Sequence, residues 1–228
     1  MNQRTLEILN ATVQEFIDTG EPVSSGWLYK NHDFGIRPAM IRFELEALAE
    51  LGLLEHPYHS AGKVPSDKGY ELFTRHILEE PLERISSDDQ LICDLFEKRA
   101  WMELLEALSS KLGILAVARE AKEVYKNGIE NLVEHLEWET ADEIKTTIRD
   151  FAEIDGRLNA MDKLMEETPE VFIGKINGIT KSDHLAIIGG SYETDGNRVM
   201  ILAIGPKRMN YEKTLNIFKN LKRKTSAK

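Results

Sequence analysis

Residues 37–70 read RPAMIRFELEALAELGLLEHPYHSAGKVPSDKGY and decide the fold of the N-terminal part of the chain. They predict a short amphipathic helix that begins at Pro38 and ends at Gly52, because proline suits the first helical position and glycine the C-terminal cap. The apolar pair Leu53 and Leu54 and a polar turn at 59–63 then predict a short hairpin. Helix, strand, turn and strand in this order are typical of the recognition helix and wing of a winged helix-turn-helix DNA-binding domain, although another small α+β domain could contain the same unit.

The flanking residues predict three more helices around this stretch. Apolar residues at spacings of three and four predict a helix over residues 3–19, ended by Gly20. A second helix covers residues 26–31 after a Ser24 or Ser25 cap, and Ser66 caps a fourth. In the third helix, which starts at Pro38, the buried stripe is formed by Ile41, Leu45 and Leu48.

The composition limits the classes of protein to which the chain can belong. The net charge is −10, and residues 1–84 carry 8 Lys/Arg against 14 Asp/Glu. A DNA-binding domain of this charge is expected to bind weakly by itself and to need a second domain beside it. The single cysteine, Cys93, excludes an intrachain disulfide and a Cys-rich metal site. Without a signal region or an apolar run long enough to span a membrane, the chain is expected to be cytoplasmic.

The second half of the chain predicts an α+β domain. A long helix is expected over 89–112, followed by short strands at 113–117 and 123–126, a helix from Gly128 to Leu136, and helix over 141–167 with a break near 155–156. Three further segments, 171–176, 184–189 and 198–204, read as strands that are antiparallel because their connections are short. A basic helix over 209–224 closes the chain.

The chain resembles the HrcA-type heat-inducible transcription repressors, and two dense blocks carry the resemblance. The first is HSAGKVPSDKGY at 59–70, preceded by matches at 19–23, 38–39, 41–42 and 51–55. The second is GPKRMNYEK at 205–213, and residues 128–138 resemble a third block.

The resemblance implies three parts: a winged helix-turn-helix DNA-binding domain at 1–80, a linker and long helix at 81–112, and a reduced GAF-like effector and dimerisation domain with an antiparallel sheet at 113–228. It also implies a repressor of heat-shock (chaperone) genes that binds an inverted-repeat operator in double-stranded DNA as a homodimer. The GroEL-type chaperonin is an implied partner, and no membrane is.

The DNA-binding residues are expected on the third helix and on the wing. They are Arg37, Ala39, Met40, Arg42, Phe43, His59, Ser60, Lys63 and Lys68. Of these, Arg42, His59, Lys63 and Lys68 are placed to touch phosphates if the wing lies along the DNA backbone.

The chain departs from the family pattern in two places. Arg37, Met40 and Phe43 replace the family's usual Ser, Thr and Asn, so Met40 and Phe43 can offer a base only apolar contacts or pack inward. This puts the family's operator in doubt. The chain is also about a third shorter than is usual, and the gap between Val117 and Glu123 falls where part of the GAF-like domain and an inserted dimerising segment are expected.

Two other classes of protein compete with a repressor. An enzyme is disfavoured because the six histidines lack metal-ligand spacing and no glycine-rich phosphate loop is present, so neither a cofactor nor a metal is expected. A sensing or protein-interaction module that has lost or changed operator recognition is the alternative, and the unusual third helix allows it.

Overall fold

The computed structural model of the chain describes residues 1–58, 62–84, 86–135, 141–161, 165, 169–174 and 179–226. Its contacts divide the chain into two compact units, Met1–His76 and Ile77–Lys228. Each unit folds around its own set of buried apolar side chains.

Three helices open the N-terminal unit, close to the bounds that the apolar spacing predicts. Helix α1 spans Gln3–Thr19, α2 spans Ser25–Asn31 and α3 spans Pro38–Glu50. The Ser24 hydroxyl caps α2 by accepting a hydrogen bond from the backbone of Trp27. These findings confirm the predicted helices.

A two-stranded antiparallel hairpin follows α3. Strand β1 is Leu54–Glu55 and β2 is Val64–Pro65. The ladder is short because prolines such as Pro57 and Pro65 cannot donate to it. Val23 adds an isolated bridge to Lys63 through two backbone hydrogen bonds of 2.8 Å, which ties the hairpin to the segment between α1 and α2.

Helix α4 (Asp67–Glu79) begins directly after the hairpin. The Ser66 hydroxyl accepts a hydrogen bond from the backbone of Gly69 at 3.1 Å and donates one to the carbonyl of Gly52 at 2.6 Å. Ser66 therefore caps α4, as predicted, and also binds its start to the end of α3.

The second unit begins with two helices where the sequence predicts one. Helix α5 spans Ser87–Glu97 and α6 spans Trp101–Leu112, so the continuous helix expected over 89–112 is wrong. The chain turns between them, and Arg99 takes a left-handed backbone conformation with φ of 55°. The turn lets Arg99 pair with Glu120 and lets Trp101 Nε1 donate to Glu120 Oε2 at 3.0 Å. Periodicity does not reveal a break whose partner lies on a distant strand.

In the part of the second unit that the structure describes, five strands form one antiparallel sheet with the order β4-β3-β7-β6-β5. The strands are β3 Leu115–Glu120, β4 Glu123–Asn127, β5 Glu170–Ile173, β6 Leu185–Thr194 and β7 Asn197–Pro206. The antiparallel prediction is confirmed, but β6 and β7 are longer than expected. The reason is the two-residue turn at Asp195 and Gly196, both with positive φ, which suits a tight hairpin. The end of the strand predicted over 171–176 lies outside the described residues.

Helices and a 3-10 turn complete the second unit. They are α7 Ile129–His135, α8 Ala141–Ala152, a 3-10 turn at Ile154–Gly156, α9 Leu158–Met161 and α10 Tyr211–Ser226. The predicted break near 155–156 is confirmed by the 3-10 turn. Apolar side chains from the sheet and from α7 to α9 form one core, which includes Val117, Leu132, Phe151, Leu158, Leu202 and Ile204.

Between Val117 and Glu123, where the family's additional segment is missing, the chain makes a tight turn. Strand β3 continues to Glu120, and Ala121 and Lys122 lead straight into β4. Ala121 has a φ of 52°, as a short hairpin connection requires. The sheet is therefore continuous at this point.

Candidate nucleic-acid interface

Helix α3 presents a continuous outer face. Its buried stripe is Ile41, Leu45 and Leu48. The predicted contact residues at its N-terminal end and on its outer face are all exposed, namely Arg37, Ala39, Met40, Arg42 and Phe43. The apolar side chains of Met40 and Phe43 are 49% and 66% exposed. Two large apolar side chains in solvent on one short helix are typical of a contact surface.

Arg37 lies at the cap position of α3, directly before Pro38 at the first helical position. Its side chain makes no capping hydrogen bond, and the residue is exposed. A cation at this end opposes the helix dipole, and a bound anion would reverse that effect. Arg42, also exposed, lies five residues further along the chain, on α3. One exposed arginine thus precedes α3, and a second lies between Met40 and Phe43 in the sequence of the helix.

The structure places Lys63 differently from the sequence prediction. The sequence predicts that Lys63 touches a phosphate, but only 4% of its side chain is exposed. Its ammonium donates to Glu46 Oε2 at 2.8 Å and contacts His56 Nε2. A buried ammonium needs such partners to keep its charge. Lys63 joins the hairpin to α3, and the arrangement corrects the prediction of a phosphate contact.

The imidazole of His56 lies beside this ion pair. Its Nε2 is 3.4 Å from Glu46 Oε2 and in contact with the Lys63 ammonium. Glu46, His56 and Lys63 thus form one cluster of polar side chains between α3 and the hairpin.

Lys68 also has a positioning role in the structure. Its ammonium donates to the carbonyl of Leu51 at 2.9 Å, at the C-terminal end of α3 where a cation is favourable. Lys68 remains exposed. The remaining two predicted residues, His59 and Ser60, lie outside the described residues.

The sequence places Glu46 on the flanks or outer face of α3, but it did not mark Glu46 or His56 as part of the site. Glu46 lies seven residues after Ala39, and that helical spacing was the available signal for a shared face. His56 follows β1 and carried no pattern of its own. Its partner Lys63 is close only because the hairpin folds back.

The Glu46 carboxyl predicts a pH dependence of stability. Hydrogen bonding from the Lys63 ammonium holds the pKa of Glu46 below its ordinary value. The ionised form is therefore favoured by folding, so its stabilisation is complete above the unfolded pKa of about 4.3 and is lost as the pH falls through the folded-state pKa. Between about pH 5 and pH 3 we expect the melting temperature of the wild type to fall more steeply than that of Glu46→Gln. The difference in unfolding free energy should not exceed about 1 kcal/mol, because half of the side chain is in solvent.

Glu50→Gln is the matched control for this pH series. It removes the same charge from the same helix, one turn further on, and its melting curves should run parallel to those of the wild type. Parallel curves for Glu46→Gln as well would show that the ion pair contributes nothing to the pH dependence.

The second unit contains an open cavity of about 350 Å³ at the edge of its sheet. It is lined by Leu115, Lys126–Glu130, Ile148, Phe151 and Ala152. Within the described residues no group of three His, Cys, Asp or Glu side chains is placed to hold a metal ion. Over the same residues, no helix is both long and apolar enough to cross a membrane.

Comparison with known sequences gives a consistent family match. A family model described as the HrcA protein C terminal domain matches residues 68–215. The heat-inducible transcription repressor HrcA of Alkaliphilus metalliredigens is 40% identical over 131 residues, which are 54% of this chain and 38% of that protein. The protein of the same name from Thermobifida fusca is 34% identical over 139 residues, 60% of this chain and 40% of that protein. The chain therefore aligns with about two fifths of the length of these curated relatives.

Comparison with solved structures supports the fold. The crystal structure of a hypothetical protein at 2.2 Å resolution superposes with a TM-score of 0.81, covering 100% of this chain and 98% of that one. The sequence identity is 16%, so the likeness concerns the fold alone. The mixed α/β architecture with its antiparallel sheet fits a GAF-like domain.

Proposed function

This chain belongs to the HrcA family, and from that premise we propose that it is a transcription repressor that binds double-stranded DNA sequence-specifically through its N-terminal unit. Its curated relatives are named heat-inducible transcription repressors. The observation that carries the proposal for this chain is the exposure of Met40, Arg42 and Phe43 on α3, together with exposed Arg37 at the cap position before it.

In this proposal the N-terminal unit is a winged helix-turn-helix domain. Helices α2 and α3 form the helix-turn-helix, and β1, β2 and the residues between them form the wing. Helix α3 would enter the major groove, since an α-helix fits that groove. Support comes from the buried stripe of α3, which anchors the helix and leaves the opposite face available.

The exposed side chains suit the polar and the apolar contacts that a recognition helix makes with DNA. Arg37 and Arg42 can each pair with a phosphate or with the acceptor edge of guanine. Met40 and Phe43 can contact the methyl group of thymine, which is the apolar feature of the major groove. We therefore expect an operator whose half-sites contain thymine, and not necessarily the sequence that other family members bind.

We extend the proposal to a homodimer on an inverted repeat. Unit Met1–His76 is acidic overall, so one copy would bind weakly, and two copies on two half-sites would bind together more tightly. A two-fold dimer matches the symmetry of an inverted repeat. Control of heat-shock genes in the cytoplasm, and engagement by a GroEL-type chaperonin, follow from the family and belong to the same proposal. Catalysis is not part of it, because the relatives are named as repressors.

Selection of bound sequences from a random pool of double-stranded DNA tests the proposal. We expect enrichment of two inverted half-sites, and an affinity that falls as salt rises, with a slope in log units of about 0.9 for each phosphate contacted. Sedimentation of the protein with the selected DNA should show two chains on each site. Absence of enrichment at low salt would contradict the proposed function.

One observation favours a second candidate, a sensing module that has lost operator recognition. Glu46 and Glu50 place two carboxylates on the outer face of α3, and Lys63 is buried instead of exposed. Both features reduce the attraction of phosphates. The same selection distinguishes the two candidates, since a sensing module would enrich no sequence.

A further inference from the structure

Glu46 pairs with Lys63, and it also lies on the outer face of α3. At 100° per residue, Ala39, Phe43, Glu46 and Glu50 form the outermost stripe of the helix, opposite the buried Leu48. Glu46 therefore lies one turn beyond Phe43 on the face that would meet DNA. Its side chain is 49% exposed, although its partner Lys63 is buried.

A lone carboxylate on this face would be repelled by phosphates, but Glu46 is not alone. The Lys63 ammonium lies 2.8 Å from Glu46 Oε2, so the pair carries no net charge. Lys63 also reaches His56, and its backbone is held by two hydrogen bonds to Val23. The ammonium is thus fixed from the hairpin side, and it holds the carboxylate in one orientation.

Both of the contacts recorded for the Glu46 carboxylate within the described residues go to Oε2. Oε1 is therefore the oxygen that can accept from an incoming donor. The donors in the major groove are the amino groups of cytosine and adenine, and a carboxylate pairs with N4 of cytosine. An oriented acceptor on an exposed helical stripe has the geometry of a base-reading group.

We propose that Glu46 is a specificity-determining residue that accepts a hydrogen bond from N4 of a cytosine in each half-site, and that Lys63 is its positioning residue. This inference rests on the proposed function, because it assigns a base contact to the same helix. It gives the buried lysine a role in selectivity without a phosphate contact.

The test compares the base preferences of the full-length wild type with those of Glu46→Ala, Glu46→Gln and Glu50→Ala in the random-pool selection. We expect the wild type to prefer cytosine at one position of each half-site. Glu46→Ala should reduce that preference by about 5- to 150-fold and leave the other positions unchanged. Glu46→Gln should move the preference toward adenine, since the amide can both accept and donate. The control Glu50→Ala removes the same charge and should keep the cytosine preference.

Lys63→Met tests the positioning role, because it keeps an unbranched side chain and removes the ammonium. We expect it to weaken the preference at the same base pair as Glu46→Ala, with no further loss in the double variant. Circular dichroism shows whether the variant is folded, and if it is not, the two Glu46 variants decide alone. A folded Lys63→Met with the wild-type preference would overturn the positioning role.

The outcomes distinguish a failure of the inference about Glu46 from a failure of the proposed function. A wild-type protein that enriches a half-site, together with Glu46 variants that enrich the same bases at every position, would overturn the inference and leave the proposed function standing. A wild-type protein that enriches no DNA would overturn the proposed function, and the inference with it.

Discussion

Replacing Arg37 and Arg42 together with alanine is expected to weaken operator binding by about 1,000-fold, with an unchanged melting temperature. Each guanidinium can make a contact worth about 2 kcal/mol, and about 1.4 kcal/mol corresponds to a factor of ten in affinity. Both residues are exposed, so their loss removes no core packing. Titration of the selected operator with wild type and variant, followed by gel shift, measures the effect.

The matched control is Arg4→Ala combined with Arg75→Ala. It removes the same charge from exposed positions on α1 and α4, outside α3. We expect a loss of only several-fold, due to the lower overall attraction. Equal losses in the two double variants would indicate an effect of charge alone, and full binding by Arg37→Ala/Arg42→Ala would place the interface elsewhere.

Gly69→Ala should destabilise the N-terminal unit by about 2 kcal/mol, although alanine normally favours a helix. A Cβ at Gly69 would lie 2.1 Å from the carbonyl oxygen of Leu53. That atom belongs to the backbone, so the helix or the start of the hairpin must move. The same corner holds Ser66, which binds the start of α4 to the end of α3. Displacing it would disturb the position of α3.

Thermal unfolding followed by circular dichroism measures this prediction. For a unit of this size about 2 kcal/mol corresponds to a fall of roughly 10 °C in the melting temperature of the N-terminal transition. Gly26→Ala in α2 is the control, because the nearest atom to its Cβ is Ser24 Oγ at 3.9 Å. The control should melt at or slightly above the wild-type temperature. A Gly69→Ala variant as stable as the wild type would show that α4 and the hairpin separate easily.

Much of the fold could be predicted from local signals. Apolar spacing and caps such as Ser24 and Gly20 were enough to place α1 to α3, because a helix end depends on nearby residues. The break at Arg99 could not be predicted, since its partner Glu120 lies on a strand of the sheet. The length of the β6–β7 hairpin was also underestimated, although Asp195 and Gly196 were a usable turn signal.

The candidate interface also has one part that the sequence predicts and one part that only the structure reveals. The sequence by itself determined that α3 has a buried stripe and that Met40, Arg42 and Phe43 lie away from it, because a 3.6-residue period assigns each side chain to a face. Only the tertiary structure decided the role of Lys63, whose charge is neutralised by Glu46, a residue 17 positions away. A charge acts through its partners and its burial, and both are set by how the hairpin packs on α3, which no local pattern in the sequence encodes.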